Sequence, residues 1–231
     1  MRFGFSRTRN PGRLAAAAVI VLIAGVCCGT KDAAPAGPAA KTVYTNDFEK
    51  AAQGKPPEDF LILEGQFAVT KEGSSQFLRL AGDPVENDGF LAGPENPEVC
   101  LIRARIRSEA TGKRFAEFGV GLGGVGGHKL WLMPATGELQ ILKDKDVMTA
   151  VPYQWKSGTW TRFALRLTKI GEKRWKLEGK AWEDSTPEPK DWMITAEDTE
   201  QPQVGRASLN GTAYSEKPID FDDIEIAQSP D

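Results

Sequence analysis

The chain of 231 residues carries 29 Lys and Arg against 32 Asp and Glu, and it has a single His. Four of the basic residues lie within the first 13 positions, and the remaining chain has 25 basic and 32 acidic residues, a net charge of −7. Nucleic acid binding requires clustered cations against the phosphates, so the sequence predicts no nucleic acid partner.

The first 28 residues predict an export signal. Four arginines precede an apolar run of thirteen residues, Leu14–Val26, which ends at Cys27 and Cys28. A helix that spans a bilayer needs about 20 apolar residues, so this run predicts a signal peptide and not a permanent span. Residues 29–41 are rich in Ala and Pro and predict a flexible linker, which leaves one domain over residues 42–231.

The segment around Cys27 and Cys28 resembles the processing site of bacterial lipoproteins, in which one cysteine becomes lipidated and N-terminal. This resemblance implies a membrane anchor at Cys27 or Cys28 and a location in the cell envelope. Cleavage by the ordinary signal peptidase near residues 31–40 is the alternative, and it would release the protein into the periplasm or the medium. Cys100 is then a lone cysteine, which cannot form an internal disulfide.

Residues 42–227 alternate between apolar and polar side chains and are interrupted every eight to twelve residues by turn-forming residues. In VCLIRARIRS (residues 99–108) the aliphatic residues share one face and the arginines the other; TWTRFALRLTK (residues 159–169) repeats the pattern. No segment has a sustained helical period. The spacing predicts an all-β, antiparallel two-sheet sandwich with little helix.

Two dipeptides predict hairpin turns. Asn210-Gly211 is a pair favoured in type I′ turns because both residues tolerate positive φ, and Thr136-Gly137 is expected to act in the same way. The glycine run GVGLGG, residues 119–124, leads into another strand and not into a helix, so it predicts a hairpin and not a dinucleotide site. His128, which follows it, is expected to be a solvated loop residue.

Several segments resemble the concanavalin A-like jelly rolls of exported bacterial proteins. These segments are VYTNDFEK, EGQFAV, FLRLAG, WKSGTWTRFALRL, LEGKAWEDSTPEPKDW, VGRASLNG and DFDDIEI. Such jelly rolls include laminin-G-like sugar-binding modules and domains of the 3-keto-disaccharide hydrolase type. The resemblance implies a jelly-roll fold over nearly the whole domain. It implies function only weakly, because the matching residues mark strands and turns.

Asp222 is the carboxylate that the sequence singles out in the last strand. If Ile224 and Ile226 face the core, alternation turns Asp222 inward too, and a buried carboxylate needs a partner. The jelly-roll resemblance implies a structural calcium ion held by Asp222 with Asp47 or Glu49. A hydrogen-bonded aspartate without metal is the alternative.

The ligand site predicted from the sequence combines an aromatic residue with charged ones. All six tryptophans lie between residues 131 and 192, and sugar rings stack on indole faces. Trp160 and Trp175 are expected in the core, which leaves Trp131 as the candidate platform. The predicted ligand-binding residues are Trp131, Arg103, Arg105, Glu117, Arg162 and Arg166. Alternatively, Glu117 is only the counterion of the arginines.

We therefore expect an exported, lipid-anchored jelly roll that binds a saccharide or a cell-envelope glycan. A glycoside-cleaving enzyme is the first alternative, although the Glu-x-Asp-x-x-Glu pattern of jelly-roll laminarinases is absent and no catalytic residue is assigned. A structural surface protein without a small ligand is the second.

Overall fold

The computed structural model describes residues 40–83, 88–96 and 98–229, and every regular element among them is a β-strand. The strands are β1 (Lys41–Asn46), β2 (Leu61–Glu64), β3 (Phe67–Glu72), β4 (Ser75–Leu80), β5 (Asp88–Ala92), β6 (Val99–Ser108), β7 (Glu117–Leu122), β8 (His128–Met133), β9 (Glu138–Lys143), β10 (Asp146–Pro152), β11 (Thr161–Gly171), β12 (Arg174–Glu183), β13 (Ile194–Asp198), β14 (Ala207–Thr212) and β15 (Ile219–Gln228). The predicted signal and its cysteines, Cys27 and Cys28, lie outside the described residues.

The strands form two antiparallel sheets. Sheet A has the order β13-β12-β11-β6-β15-β4-β3, and β1 pairs with the second half of β15. Sheet B has the order β10-β9-β8-β7-β14-β5-β2. No helix in the described part of the chain is long and apolar enough to cross a membrane.

One hydrophobic core lies between the two sheets, as the alternation predicts. Phe163 and Leu165 of β11 meet Leu130 and Leu132 of β8 in this core, and all four are fully buried. Polar neighbours on the same strands point to the outer face of each sheet. The all-β, two-sheet prediction is therefore confirmed.

Of the two predicted turns, one is correct in position but not in type, and the other is wrong. Thr136 and Gly137 lie in the β8–β9 turn, but only Gly137 has a positive φ, of 70°, so the turn is not of type I′. Asn210 and Gly211 lie within β14, between β5 and β7, and form no turn. Asn210 stands opposite Gly89, where a Cβ would clash with the Asn210 amide group. The space that Gly89 leaves open lets this turn-forming residue fit a central strand.

Candidate functional site

The outer face of sheet A carries a charged network that the strand register assembles. Asp220 stands opposite Arg107, and Asp222 stands opposite Arg105. Residues directly opposite each other in adjacent strands project from the same face, so these four side chains lie together on the outer face. The arginine stripe expected from alternation in β6 is therefore real, and its counterions come mainly from the last strand.

Each arginine of this network has at least one carboxylate partner. Arg105 Nη2 lies 2.7 Å from Asp222 Oδ2 and its Nη1 lies 3.0 Å from Asp184 Oδ2. Five further arginine pairings are Arg107–Asp220 at 2.8 Å, Arg79–Asp220 at 2.7 Å, Arg103–Glu188 at 2.9 Å, Arg162–Asp223 at 2.9 Å and Arg166–Glu178 at 2.5 Å. Arg162 also pairs with Asp184. Such mutual contacts restrict the rotamers of the side chains, which fixes their orientation on the sheet.

A β-bulge in β15 corrects the expected orientation of Asp222. The register with β6 shifts between Asp222 and Glu225, and Asp223 adopts a φ of 49°. The bulge breaks the alternation, so Asp222 lies on the outer face although Ile224 faces the core. The prediction that Asp222 shares a face with Ile224 and Ile226 is therefore wrong. The expectation that it is buried and hydrogen-bonded is correct.

Asp222 is 1% exposed and has two kinds of donor. Its Oδ2 accepts hydrogen bonds from Arg105, and its Oδ1 accepts one from the Asp223 amide at 2.7 Å. Burial raises the pKa of the Asp222 carboxyl to about 6, against the opposing effect of these hydrogen bonds. Asp222 therefore lies beneath the surface, where it holds Arg105 in position, and it does not line the cavities described next.

Two adjoining cavities lie beside β1 at the edge of sheet A and share residues of its outer face, and we call them together the sheet A groove. The larger has a volume of about 740 Å³ and is bounded by β1 and by residues of the 47–59 segment. The smaller, of about 330 Å³, is bounded by Trp182, Thr186 and Glu188. Three residues, Arg162, Asp223 and Glu225, line both cavities. Each of the two volumes is in the range of small-molecule sites.

Two tryptophans outside the strands, Trp160 just before β11 and Trp192 between β12 and β13, accompany this network. Arg105 and Arg107 lie over the Trp160 ring, 4.8 and 4.7 Å from its centroid. Arg166 lies 4.7 Å from the centroid of Trp192. Trp160 is therefore half-buried beneath guanidinium groups, and the expectation that it lies in the core is wrong. Trp175 is buried, as expected.

The predicted ligand-binding residues divide between two faces. Arg103, Arg105, Arg162 and Arg166 lie on the outer face of sheet A. Trp131 and Glu117 belong to β8 and β7, where they project from the outer face of sheet B, because the residues next to them in each strand face the core. The six residues therefore do not form one site, and Glu117 is not the counterion of the arginine stripe. The core separates the two groups.

The three predicted metal ligands, Asp222, Asp47 and Glu49, bind separate partners in the structure. Asp47 caps the Glu49 amide, Glu49 accepts from Ser75 and from the Gln76 amide, and Asp222 is bound to Arg105. No group of three or more metal-binding side chains occurs in residues 40–83, 88–96 and 98–229. This arrangement does not fit a shared calcium ion, so calcium binding stays a prediction with no support from these three residues.

His128 is also placed differently from its prediction as a solvated residue. It is 2% exposed, and its Nε2 lies 2.8 Å from Asp198 Oδ2, which Lys143 also contacts at 2.9 Å. Burial lowers the pKa of the His128 imidazole. Burial raises the pKa of the Asp198 carboxyl, but hydrogen bonds from Lys143, the Glu200 amide and His128 together lower it to about 2. This cluster joins sheet B to β13 of sheet A.

The sequence interpretation missed Trp182, Glu188, Asp223 and Glu225 as groove residues. Asp223 and Glu225 did have a signal, because they alternate with Ile224 and Ile226 and so point away from the core. Glu188 had none, because it lies in a loop that only the fold brings beside Arg103.

No family model matches this chain, and no curated protein matches it in sequence. Solved structures match its fold. An alginate lyase of family PL-14 from Aplysia kurodai has 12% identity and a TM-score of 0.53, with 82% of this chain and 100% of that chain covered. A xylan β-1,4-xylosidase from Bacillus halodurans C-125 has 15% identity and a TM-score of 0.54; 85% of this chain is covered, but only 41% of that chain. The Crh5 transglycosylase has 13% identity and a TM-score of 0.53, with 84% and 87% covered. The chain is a two-sheet jelly roll, as its sequence predicts.

Proposed function

We propose that this protein binds a saccharide in the sheet A groove. The observation that carries the proposal is the pair of adjoining cavities that share Arg162, Asp223 and Glu225. Ion-paired side chains offer hydroxyl groups an array of donors and acceptors whose positions are already fixed, which lowers the entropic cost of binding. Trp182, which lines the smaller cavity, adds apolar surface for a sugar ring.

The named activities of the fold neighbours agree with this proposal. The alginate lyase and the xylan xylosidase act, by their names, on carbohydrate. At such low sequence identity these two proteins support the fold alone, and the basis of the proposed function is the groove.

Cleavage of a glycoside is the second candidate, and one observation favours it. Asp223 and Glu225 both line the groove and lie two residues apart on one face, which corresponds to about 7 Å between the Cα atoms of a regular strand. Glycoside hydrolases use two carboxyl groups about 5 to 9.5 Å apart, and side chains at such neighbouring positions can reach this separation. The carboxyl whose pKa is raised to about 6, Asp222, is sealed below the surface, where it cannot protonate a leaving group. We therefore favour binding.

A glycan array followed by calorimetry tests the proposal. The chain from residue 37 onwards, which contains both sheets as one compact unit, is screened first. Glu225→Ala should weaken binding of any glycan found, because its carboxylate faces the groove and, among the described residues, accepts a side-chain hydrogen bond only from the Thr42 hydroxyl. Trp131→Ala, on the opposite sheet, should leave affinity unchanged. The reverse pattern would move the site to sheet B. Release of reducing ends would instead favour the enzyme.

We further propose that the protein is exported and anchored to the cell envelope by a lipid on Cys27 or Cys28. The support is the arginine-rich head, the apolar run of thirteen residues and the cysteines that end it. Replacing both cysteines by Ser should move the protein from the membrane fraction to the soluble fraction, and each single replacement should identify the modified residue. Retention of the double variant in the membrane with its signal removed would contradict the lipid anchor.

A further inference from the structure

The charges that line the sheet A groove are unequal in number. Three cations line it, namely Lys50, Arg103 and Arg162. Five carboxylates line it, namely Asp47, Asp59, Glu188, Asp223 and Glu225. The lining is therefore net negative, and a ligand that enters the groove meets a negative potential.

Both arginines of the groove are already neutralised. Arg162 pairs with Asp184 and Asp223, and Arg103 pairs with Glu188. A ligand carboxylate could bind either guanidinium only by displacing a carboxylate of the protein or by approaching it closely, and both are unfavourable. Lys50, which is exposed, is the lining cation without an ion pair within the described residues.

Three of the lining carboxylates, by contrast, have no Lys or Arg partner in the described part of the chain. Glu225 accepts a hydrogen bond from the Thr42 hydroxyl at 2.8 Å, and Asp59 accepts one from the Tyr44 hydroxyl at 2.8 Å. Asp47 accepts one from the Glu49 amide. Each carboxylate has about four acceptor positions, so oxygen lone pairs remain for donors of a ligand.

We infer that the sheet A groove selects its saccharide by charge: it accepts neutral sugars, prefers sugars that carry a free ammonium group, and excludes polyuronates. This inference rests on the proposed function and specifies its ligand class. Hydroxyl groups donate to the unpaired carboxylates, and an ammonium group donates with the added attraction of opposite charge. A uronate brings a like charge to the same oxygens.

Matched oligosaccharides test the selectivity. Hexamers of glucose and glucosamine with β-1,4 linkages share one configuration and differ mainly in charge. The β-1,4 hexamers of mannose and mannuronate form a second pair that differs mainly in charge, in which mannose is the neutral control. Calorimetry at a pH below the amine pKa measures the four affinities. We expect glucosamine hexamer to bind about tenfold more tightly than glucose hexamer at low salt, and mannuronate hexamer to give no measurable heat. The advantage of the amine should shrink as salt is raised, because the groove is open to solvent.

Glu225→Gln tests the contribution of the Glu225 charge, because Gln has nearly the same shape as Glu but no charge. This variant should weaken binding of the glucosamine hexamer more than binding of the glucose hexamer, and so reduce the preference for the amine, because Gln keeps an acceptor oxygen but not the charge. Glu138→Gln on β9 of sheet B is the matched control and should change neither affinity. Binding of mannuronate hexamer equal to that of mannose hexamer, or an amine preference that Glu225→Gln leaves unchanged, would overturn the inference and leave saccharide binding intact. An array on which no neutral, amino or acidic glycan binds would instead overturn the proposed function itself.

Discussion

The Arg105–Asp222 pair provides a prediction with a definite size and pH dependence. Asp222 is 1% exposed, and two hydrogen bonds from Arg105 meet its Oδ2. Arg105→Met keeps much of the apolar stem but leaves the buried carboxylate with one donor, the Asp223 amide. Removing one partner of a buried ion pair costs about 3 to 5 kcal/mol, so we expect the free energy of unfolding to fall by this amount at about pH 7.5.

The loss of stability caused by Arg105→Met should be smaller at low pH than near neutral pH. Burial raises the pKa of Asp222 from 3.8 to about 6, so the folded state favours the protonated form. The stability contributed by this proton is fully present below 3.8 and is lost as the pH rises through 6. A difference of about two units corresponds to about 3 kcal/mol. At about pH 4.5 the carboxyl is neutral in both folded proteins, so the difference in the free energy of unfolding between variant and wild type should shrink by up to about 2 kcal/mol.

Urea unfolding followed by tryptophan fluorescence at the two pH values measures this difference. Arg79→Met is the matched control, because its partner Asp220 keeps Arg107 at 2.8 Å. The free energy of unfolding of this control should fall by about 1 kcal/mol, and the fall should depend little on pH. An equal loss for Arg105→Met at both pH values would refute the assignment of the cost to the Asp222 charge.

Three further predictions concern packing, histidine and metal. Gly179→Ala should lower the free energy of unfolding by about 1 to 3 kcal/mol, because the new Cβ would lie 2.5 Å from Leu130 Cδ1, whereas Gly171→Ala, with no atom nearer than 3.5 Å, should be neutral in the same unfolding assay. His128→Gln should lower the free energy of unfolding more at about pH 7.5 than at about pH 5.5. The lowered pKa of folded His128 gives stability that is present above the unfolded pKa of about 6.5 and is lost as the pH falls. An equal loss at the two pH values would contradict this. A chelator should leave the melting temperature of the wild type unchanged, because Asp222 is bound to Arg105 and not grouped with Asp47 or Glu49. A chelator that lowers the melting temperature of the wild type but not that of Asp222→Ala would contradict this and indicate calcium at Asp222.

The fold could be predicted from the sequence because alternation is a local property. The arginines of β6 and the apolar residues of β11 occupy the faces that their spacing predicts. The charged pairs between β6 and β15 could not be derived in this way, because strands more than a hundred residues apart meet only through the topology of the sheet.

The errors have local physical causes. Asp222 was assigned to the core because alternation assumes an unbroken strand, and the bulge at Asp223 breaks it. Asn210 was assigned to a turn because its preference for positive φ is strong, and the opposing Gly89 permits a strand instead. Tertiary contacts override intrinsic preference at such positions.

The separation of Trp131 from the arginines has a more general cause. Alternation tells which residues of a strand point outward, but it does not tell which of two sheets the strand joins. Trp131 does point outward, as its spacing indicates, yet β8 belongs to sheet B. Trp182 borders the groove instead.

The indole signals of the six tryptophans can locate the binding site on one of the two sheets. In a proton–nitrogen correlation spectrum each indole N–H gives one peak, and single Trp→Phe variants assign the peaks. During titration with a bound oligosaccharide, we expect the Trp182 peak to shift, because this residue lines the smaller cavity. We expect the Trp131 peak not to move, because this residue lies on sheet B. Movement of the Trp131 peak with an unchanged Trp182 peak would contradict a binding site on the outer face of sheet A.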